Sequence, residues 1–249
     1  MHEKLIEKME ALGYKEHWIR ITKEWINELQ QRGVYCVDKF MRKLLEAKDK
    51  GTYSDIITEG RFAIILARNG FSGVTFIKED KKRKLSDIKA SYNRSEVYFE
   101  VTRKRSKVDE WAEQPEDVEL PSAESEDIIS KIQGKMGQLI DGNINILVFW
   151  SDTLAVGKSE MKEAFEYIQQ EIDQDAGVYK KLSGILFFAG GGFSIPTMKQ
   201  CYLFKNEKAL KPIGPRLARR LDCLNEKSSK QLKRESERWI SILKGTRGR

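Results

Sequence analysis

Two carboxylates set the terms for this chain. In residues 86–105, SDIKASYNRSEVYFEVTRKR, Glu100 stands between Phe99 and Val101, and Asp87 precedes Ile88. Val97, Phe99 and Val101 alternate with Tyr98, Glu100 and Thr102. That period of two sends the two sets to opposite faces of a sheet. The segment therefore reads as two antiparallel strands joined by a short polar turn at 92–95, with an acid inside each strand. A carboxylate in a strand interior costs free energy unless it is paired, hydrogen-bonded or bound to a metal. Two of them on adjacent strands suggest an oxygen-ligand site for a divalent cation, Mg²⁺ or Mn²⁺. Such an ion positions and activates water.

The elements on either side must deliver whatever else the site needs. A helix is expected from residue 55 to about residue 69, opened by Gly51-Thr52-Tyr53-Ser54 and ended by Gly70. Glu59 lies on its apolar stripe with Ala63 and Leu66 and so needs a partner, for which Arg61 and Arg68 are the nearest in sequence. A strand over 74–78 should follow. A further helix is expected over 125–141, its apolar arc formed by Ile128, Ile129, Ile132, Met136, Leu139 and Ile140. Lys131, Lys135 and Gln138 run along the border of that arc at i, i+4 and i+7, as on a helix edging a half-buried site. Lys104 shares the strand-face parity of Glu100 and is another cationic candidate.

The order of these pieces, Asp87 followed by the strand Glu100-Val101-Thr102, resembles the PD-(D/E)xK nuclease superfamily with its restriction-endonuclease-like fold. The resemblance implies metal binding by Asp87 and Glu100, with a supporting acid, Glu59, on the helix before the core strands. It also implies a Lys or Gln reaching the site from the following helix, where Lys135 and Gln138 stand. Thr102 occupies the position of the motif Lys, and Ser86 that of the Pro. Either the cationic role has moved to Lys135, Lys131 or Lys104, or catalysis is lost. Two functional readings follow: a metal-dependent nuclease, and a catalytically inactive nuclease-fold protein that binds nucleic acid or serves as an assembly module. An α/β protein with purely structural acids is a third.

Charge bears on the partner. The 249 residues carry a net charge of +7 at pI about 9.1, which suits an anionic partner such as nucleic acid, DNA or RNA. Lys81, Lys82, Arg83 and Lys84 precede the first acid, and Arg103, Lys104, Arg105 and Lys107 follow the second; of these, Lys81, Lys82, Arg83, Lys84, Arg103 and Arg105 are the expected nucleic-acid contacts. Residues 109–127 hold nine acidic residues and no basic ones, the pattern of an exposed acidic loop. Three scattered cysteines, Cys36, Cys201 and Cys223, and two histidines, His2 and His17, give no zinc spacing. The Gly157-Lys158-Ser159 triplet lacks the upstream Gly of a phosphate loop, since Asp152 stands there.

Buried strands are expected over 145–150 and 184–189, a further strand over 200–204, and an amphipathic helix over 160–172. The fold class is thus α/β: a restriction-endonuclease-like core with a central mixed sheet flanked by helices. Residues 1–50 read as an N-terminal helical extension without chemistry of its own. Residues 51–224 form the core, helical from 209 to 224, and 225–249 a basic C-terminal helix and tail. No apolar run reaches the roughly 20 residues of a membrane span, and the first twelve residues lack a secretory apolar stretch, so no membrane partner and a cytoplasmic location are expected.

Overall fold

The computed structural model of the chain describes residues 2–77, 85–104, 125–151, 158–174, 177–189 and 201–224. The basic run Lys81–Lys84, Arg105, the acidic stretch up to residue 124 and the C-terminal segment 225–249 lie outside the described residues. Four helices come first: α1 (His2–Ala11), α2 (Glu16–Gln31), α3 (Val37–Glu46) and α4 (Lys50–Arg68). They are followed by β1 (Ser72–Phe76), β2 (Ile88–Tyr92), β3 (Ser95–Lys104), α5 (Ser125–Lys135), β4 (Ile144–Ser151), α6 (Lys158–Gln174), β5 (Gly184–Ala189), β6 (Cys201–Lys205) and α7 (Pro215–Asp222).

The six strands form one mixed sheet in the order β1-β2-β3-β4-β5-β6. β1, β2 and β3 make an antiparallel meander, β4 and β5 run parallel to β3, and β6 closes the far edge antiparallel. A two-residue turn, Asn93-Arg94 with φ 47° and 67°, joins β2 to β3. Positive φ at both central residues matches the right-handed twist of the strands it connects. Alternation along each central strand sorts the side chains into two layers. Ile146, Val148 and Trp150 of β4 and Leu186 and Phe188 of β5 join Val97, Phe99 and Val101 in a core shared with α1–α4. Leu147, Phe149, Ile185 and Phe187 face the opposite way and pack with Ile128 and Ile132 of α5 and Met161, Ala164 and Ile168 of α6. Burial of both faces explains why β4 reads as an unbroken apolar run.

β1 lies at Ser72–Phe76, two residues earlier than the expected 74–78, and three helix boundaries differ by more. α4 begins at Lys50 rather than residue 55, because the Asp49 carboxylate accepts from the Thr52 amide at 2.8 Å and caps it. α5 ends at Lys135, and Met136–Gln138 tighten into a single 3₁₀ turn with Gly134 and Gly137 on either side of the transition. The last described helix starts only at Pro215, whose fixed φ suits the first helical position; residues 209–214 are turn and coil. No helix among the described residues is long and apolar enough to cross a membrane.

Close helix contact brings the N-terminal helices onto the sheet. A Cβ built on Gly60 of α4 would lie 2.5 Å from the Phe40 ring of α3, and that ring stacks on Phe76 of β1 with centroids 4.9 Å apart. Only glycine lets α3 come this near, and Phe40 is one turn from Lys43. Gly60→Ala is therefore expected to destabilise the fold. Overpacking costs about 1–3 kcal/mol, and the better helix propensity of Ala returns about 1 kcal/mol. The check is the denaturation midpoint of Gly60→Ala, Phe40→Leu and the double variant. The double variant should lose less than the sum of the singles, and strict additivity would show that the two side chains do not meet.

Candidate active site

Glu100 is the starting point. The parallel register pairs it with Leu147, so it faces the layer that α5 covers, and it is 0 % exposed. A carboxylate this deep requires compensation. Lys135, in the last turn of α5, supplies it with Nζ 2.6 Å from Oε1. The Gln138 side chain faces the same carboxylate; with its amide nitrogen turned inward it donates to Oε1 at 2.6 Å and Oε2 at 3.2 Å. The 3₁₀ turn matters here. It brings Gln138 back toward the strand, and the Gln138 carbonyl accepts from the Ser86 hydroxyl at 3.3 Å, tying the turn to the residue before Asp87.

Asp87 lies one step before β2. The antiparallel register sets Lys89 against Tyr98 and Ile88 against Phe99 and ends there. The Asp87 amide donates to the Phe99 carbonyl at 3.0 Å, and the Asp87 carbonyl accepts from Ile77 at 2.9 Å. Its carboxylate Oδ2 accepts from the Val101 amide at 2.9 Å. Asp87 thus stands at the mouth of its strand rather than inside it, a correction to the sequence reading. Its carboxylate continues the ladder where the β2 backbone gives way.

From the α3/α4 layer comes Lys43. Its Nζ lies 3.2 Å from Glu59 Oε2 and 3.5 Å from Asp87 Oδ1. Glu59 is therefore partnered by neither arginine proposed from sequence. Arg68 binds Glu28 at 2.5 Å, and the Arg61 guanidinium lies 5.3 Å from the Trp25 ring and 4.7 Å from the Trp150 ring. Burial, together with the neighbouring negative charge of Asp87, pushes the Glu59 carboxyl well above the ordinary value of 4.5, against the pull of Lys43. Burial works to lower the Lys135 ammonium, but the charge and hydrogen bond of Glu100, joined by Asp87 and Glu59, outweigh it and hold Lys135 above its ordinary value. The five groups thus form one electrostatic unit, three carboxylates against two ammonium groups.

The other sequence candidates fall as follows. Lys131 is half-buried one turn before Lys135 on α5. Lys104 ends β3 opposite Ser151, four residues or about 13 Å of strand beyond Glu100. Arg103 was read as a nucleic-acid contact, but its side chain is 7 % exposed and pairs with Asp55 at 3.6 Å; it is an interior cation. Lys43 was missed because nothing in the spacing of α3, with Val37, Phe40, Met41 and Leu44 inward, reveals which strand end that helix approaches.

The donor set is all oxygen, from Asp87 and Glu100. Among the described residues no group of three or more His, Cys, Asp or Glu side chains is placed to hold a metal ion. Two carboxylates completed by waters are a donor set that Mg²⁺ can take, whereas an ion that demands a full protein shell cannot.

A pH dependence follows from Glu59. The folded state holds its proton more tightly than the unfolded chain does, so the stability tied to that proton is present below about pH 4.5 and lost as pH rises through the folded value. Glu59→Gln, which imitates the protonated form, should gain in denaturation midpoint relative to the parent as pH is raised from 4 to 8. A constant difference across that range would place the Glu59 charge outside the unit. No protein-family model, no curated protein and no solved structure matches this chain.

Proposed function

We propose that the chain is a metal-dependent phosphodiesterase acting on nucleic acid, built on a restriction-endonuclease-like core. One observation carries the reading: Asp87, just before β2, is held by the Val101 amide next to Glu100 on β3, and Lys135 holds Glu100 at 2.6 Å. Two acids with a cation at the same point are what hydrolysis of an anionic ester requires. The order of elements supports it as well: a helix bearing Glu59, a three-stranded antiparallel meander bearing the acids, a helix, then a strand parallel to the third. The excess of basic residues suits an anionic polymer.

A bound Mg²⁺ would supply an activated water and a Lewis acid for the phosphoryl oxygen. Asp87 Oδ1 and Glu100 would hold it. The Val101 amide fixes the orientation of Asp87 through Oδ2, and Gln138 and Lys135 fix Glu100. Lys135 takes the part assigned to the motif Lys at position 102. Its ammonium stays charged at neutral pH and faces the point where negative charge would build, a form of stabilisation that needs no reorganisation. Glu59 lines the site from α4 and accepts from Lys43 at 3.2 Å.

The test is cleavage of single- and double-stranded DNA and RNA with Mg²⁺ or Mn²⁺. Asp87→Asn and Glu100→Gln should abolish it, and Lys135→Met should lower kcat by roughly 10²–10³-fold, the scale of losing one preorganised electrostatic group. Lys135→Met also strands a buried carboxylate, at a cost of about 3–5 kcal/mol in stability. Circular dichroism must therefore accompany each rate. Cleavage that persists in folded Asp87→Asn and Glu100→Gln rules out this site.

A further inference from the structure

Lys43 and Lys135 are not equivalent. Lys135 grips a fully buried carboxylate at 2.6 Å. Lys43 reaches its two acids at 3.2 and 3.5 Å from a side chain 27 % exposed, so its ammonium can swing to water on its four-carbon stem. The two oxygens of Asp87 also differ. Oδ2 is committed to the Val101 amide, while Oδ1 is the one Lys43 approaches. The oxygen that an incoming divalent ion would use is thus the oxygen on which Lys43 sits.

We propose that Lys43 is a built-in competitor for the cation: it neutralises Asp87 and Glu59 while no metal is bound and is driven off Asp87 when one arrives. The inference rests on the metal-site reading above and adds to it a residue from the N-terminal helices. A divalent ion about 2.0–2.1 Å from Oδ1 would stand within a few ångströms of the Lys43 ammonium, and the two like charges repel strongly at that separation; Lys43, with its longer contacts, is the lysine that yields. Glu59 gives Lys43 somewhere to stay. Its Oε2 is the nearer of the two contacts, so displacement from Asp87 need not expel the ammonium from the site. Metal affinity is thereby set in part by α3, whose position depends on the Phe40–Gly60 contact.

Calorimetric titration of Mn²⁺ into the full chain without nucleic acid tests this, using the parent, Lys43→Met, Lys43→Gln, Lys43→Arg and Asp87→Asn. Removing the competing charge should tighten Mn²⁺ binding about tenfold, within the range usual for coupled binding events. Lys43→Arg should bind no more tightly than the parent. In thermal melts Lys43→Met should be less stable than the parent in EDTA and recover with Mn²⁺, which a merely structural lysine would not do. Lys43→Gln serves if Lys43→Met does not fold. Parent binding that is lost in Asp87→Asn but unchanged or weakened in Lys43→Met and Lys43→Gln overturns the role of Lys43 and leaves the metal site standing. Failure of the folded parent and both neutral variants to bind Mn²⁺ overturns both.

Discussion

Everything near the middle of this sheet answers to one constraint, the carboxylate of Glu100 held out of water between β3 and α5. Leaving it alone there would cost several kcal/mol, and the local architecture is arranged so that it is not alone. α5 stops at Lys135, where the ammonium meets the carboxylate, and the helix tightens into a 3₁₀ turn that returns Gln138 to it. The same turn is tied to Ser86, and so to the backbone that presents Asp87. Apolar residues at 100 and 135 would satisfy the layer more simply. Leu147 and Phe149, the neighbours on β4, do so. A buried ion pair is weak evidence for stability, and its presence beside a second acid points to chemistry.

The opposite layer is joined to the same point through Asp87. Because β2 starts one residue later, the Asp87 carboxylate lies at the end of the ladder, bonded to the Val101 amide, with Lys43 reaching it from α3. Residues 1–50 therefore do more than pack on the core. They share its apolar interior, from Leu5 and Met9 to Val97 and Phe99, and place a charge in the candidate site. Phe40 against Gly60 sets how near α3 can come.

Much of this was legible in the residues. Period-two alternation gave β3, and the apolar runs gave β4 and β5, because burial on one face or both leaves a direct mark on sequence. Glu59 announced itself as an acid on an apolar stripe, and Lys135 and Gln138 as polar residues edging one. Lys43 carried no such mark. Its helix looks like any amphipathic helix, and its role arises from where α3 lies against strands some 45 residues later in the chain. Arg103 failed in the other direction: a basic run at the end of a strand suggests a surface patch, yet strand alternation turns this arginine inward to Asp55. The early start of α4 was missed because Asp49 acts through a capping hydrogen bond, while the glycine after it reads as a break.

The absence of a lysine at position 102 can be weighed on the same ground. A lysine two residues after Glu100 on β3 would share its face and approach the site along the strand. Delivered from α5, the ammonium approaches from the covering layer, and its position then depends on the packing of Ile128 and Ile132 against Leu147 and Phe149. What a transition state senses is the distance and solvation of the charge, not the element that carries it. In this structure Nζ lies 2.6 Å from the buried Glu100 carboxylate, so the charge is delivered from that covering layer. Position 102 is then free to hold a half-buried threonine, which costs the β3–β4 pairing nothing.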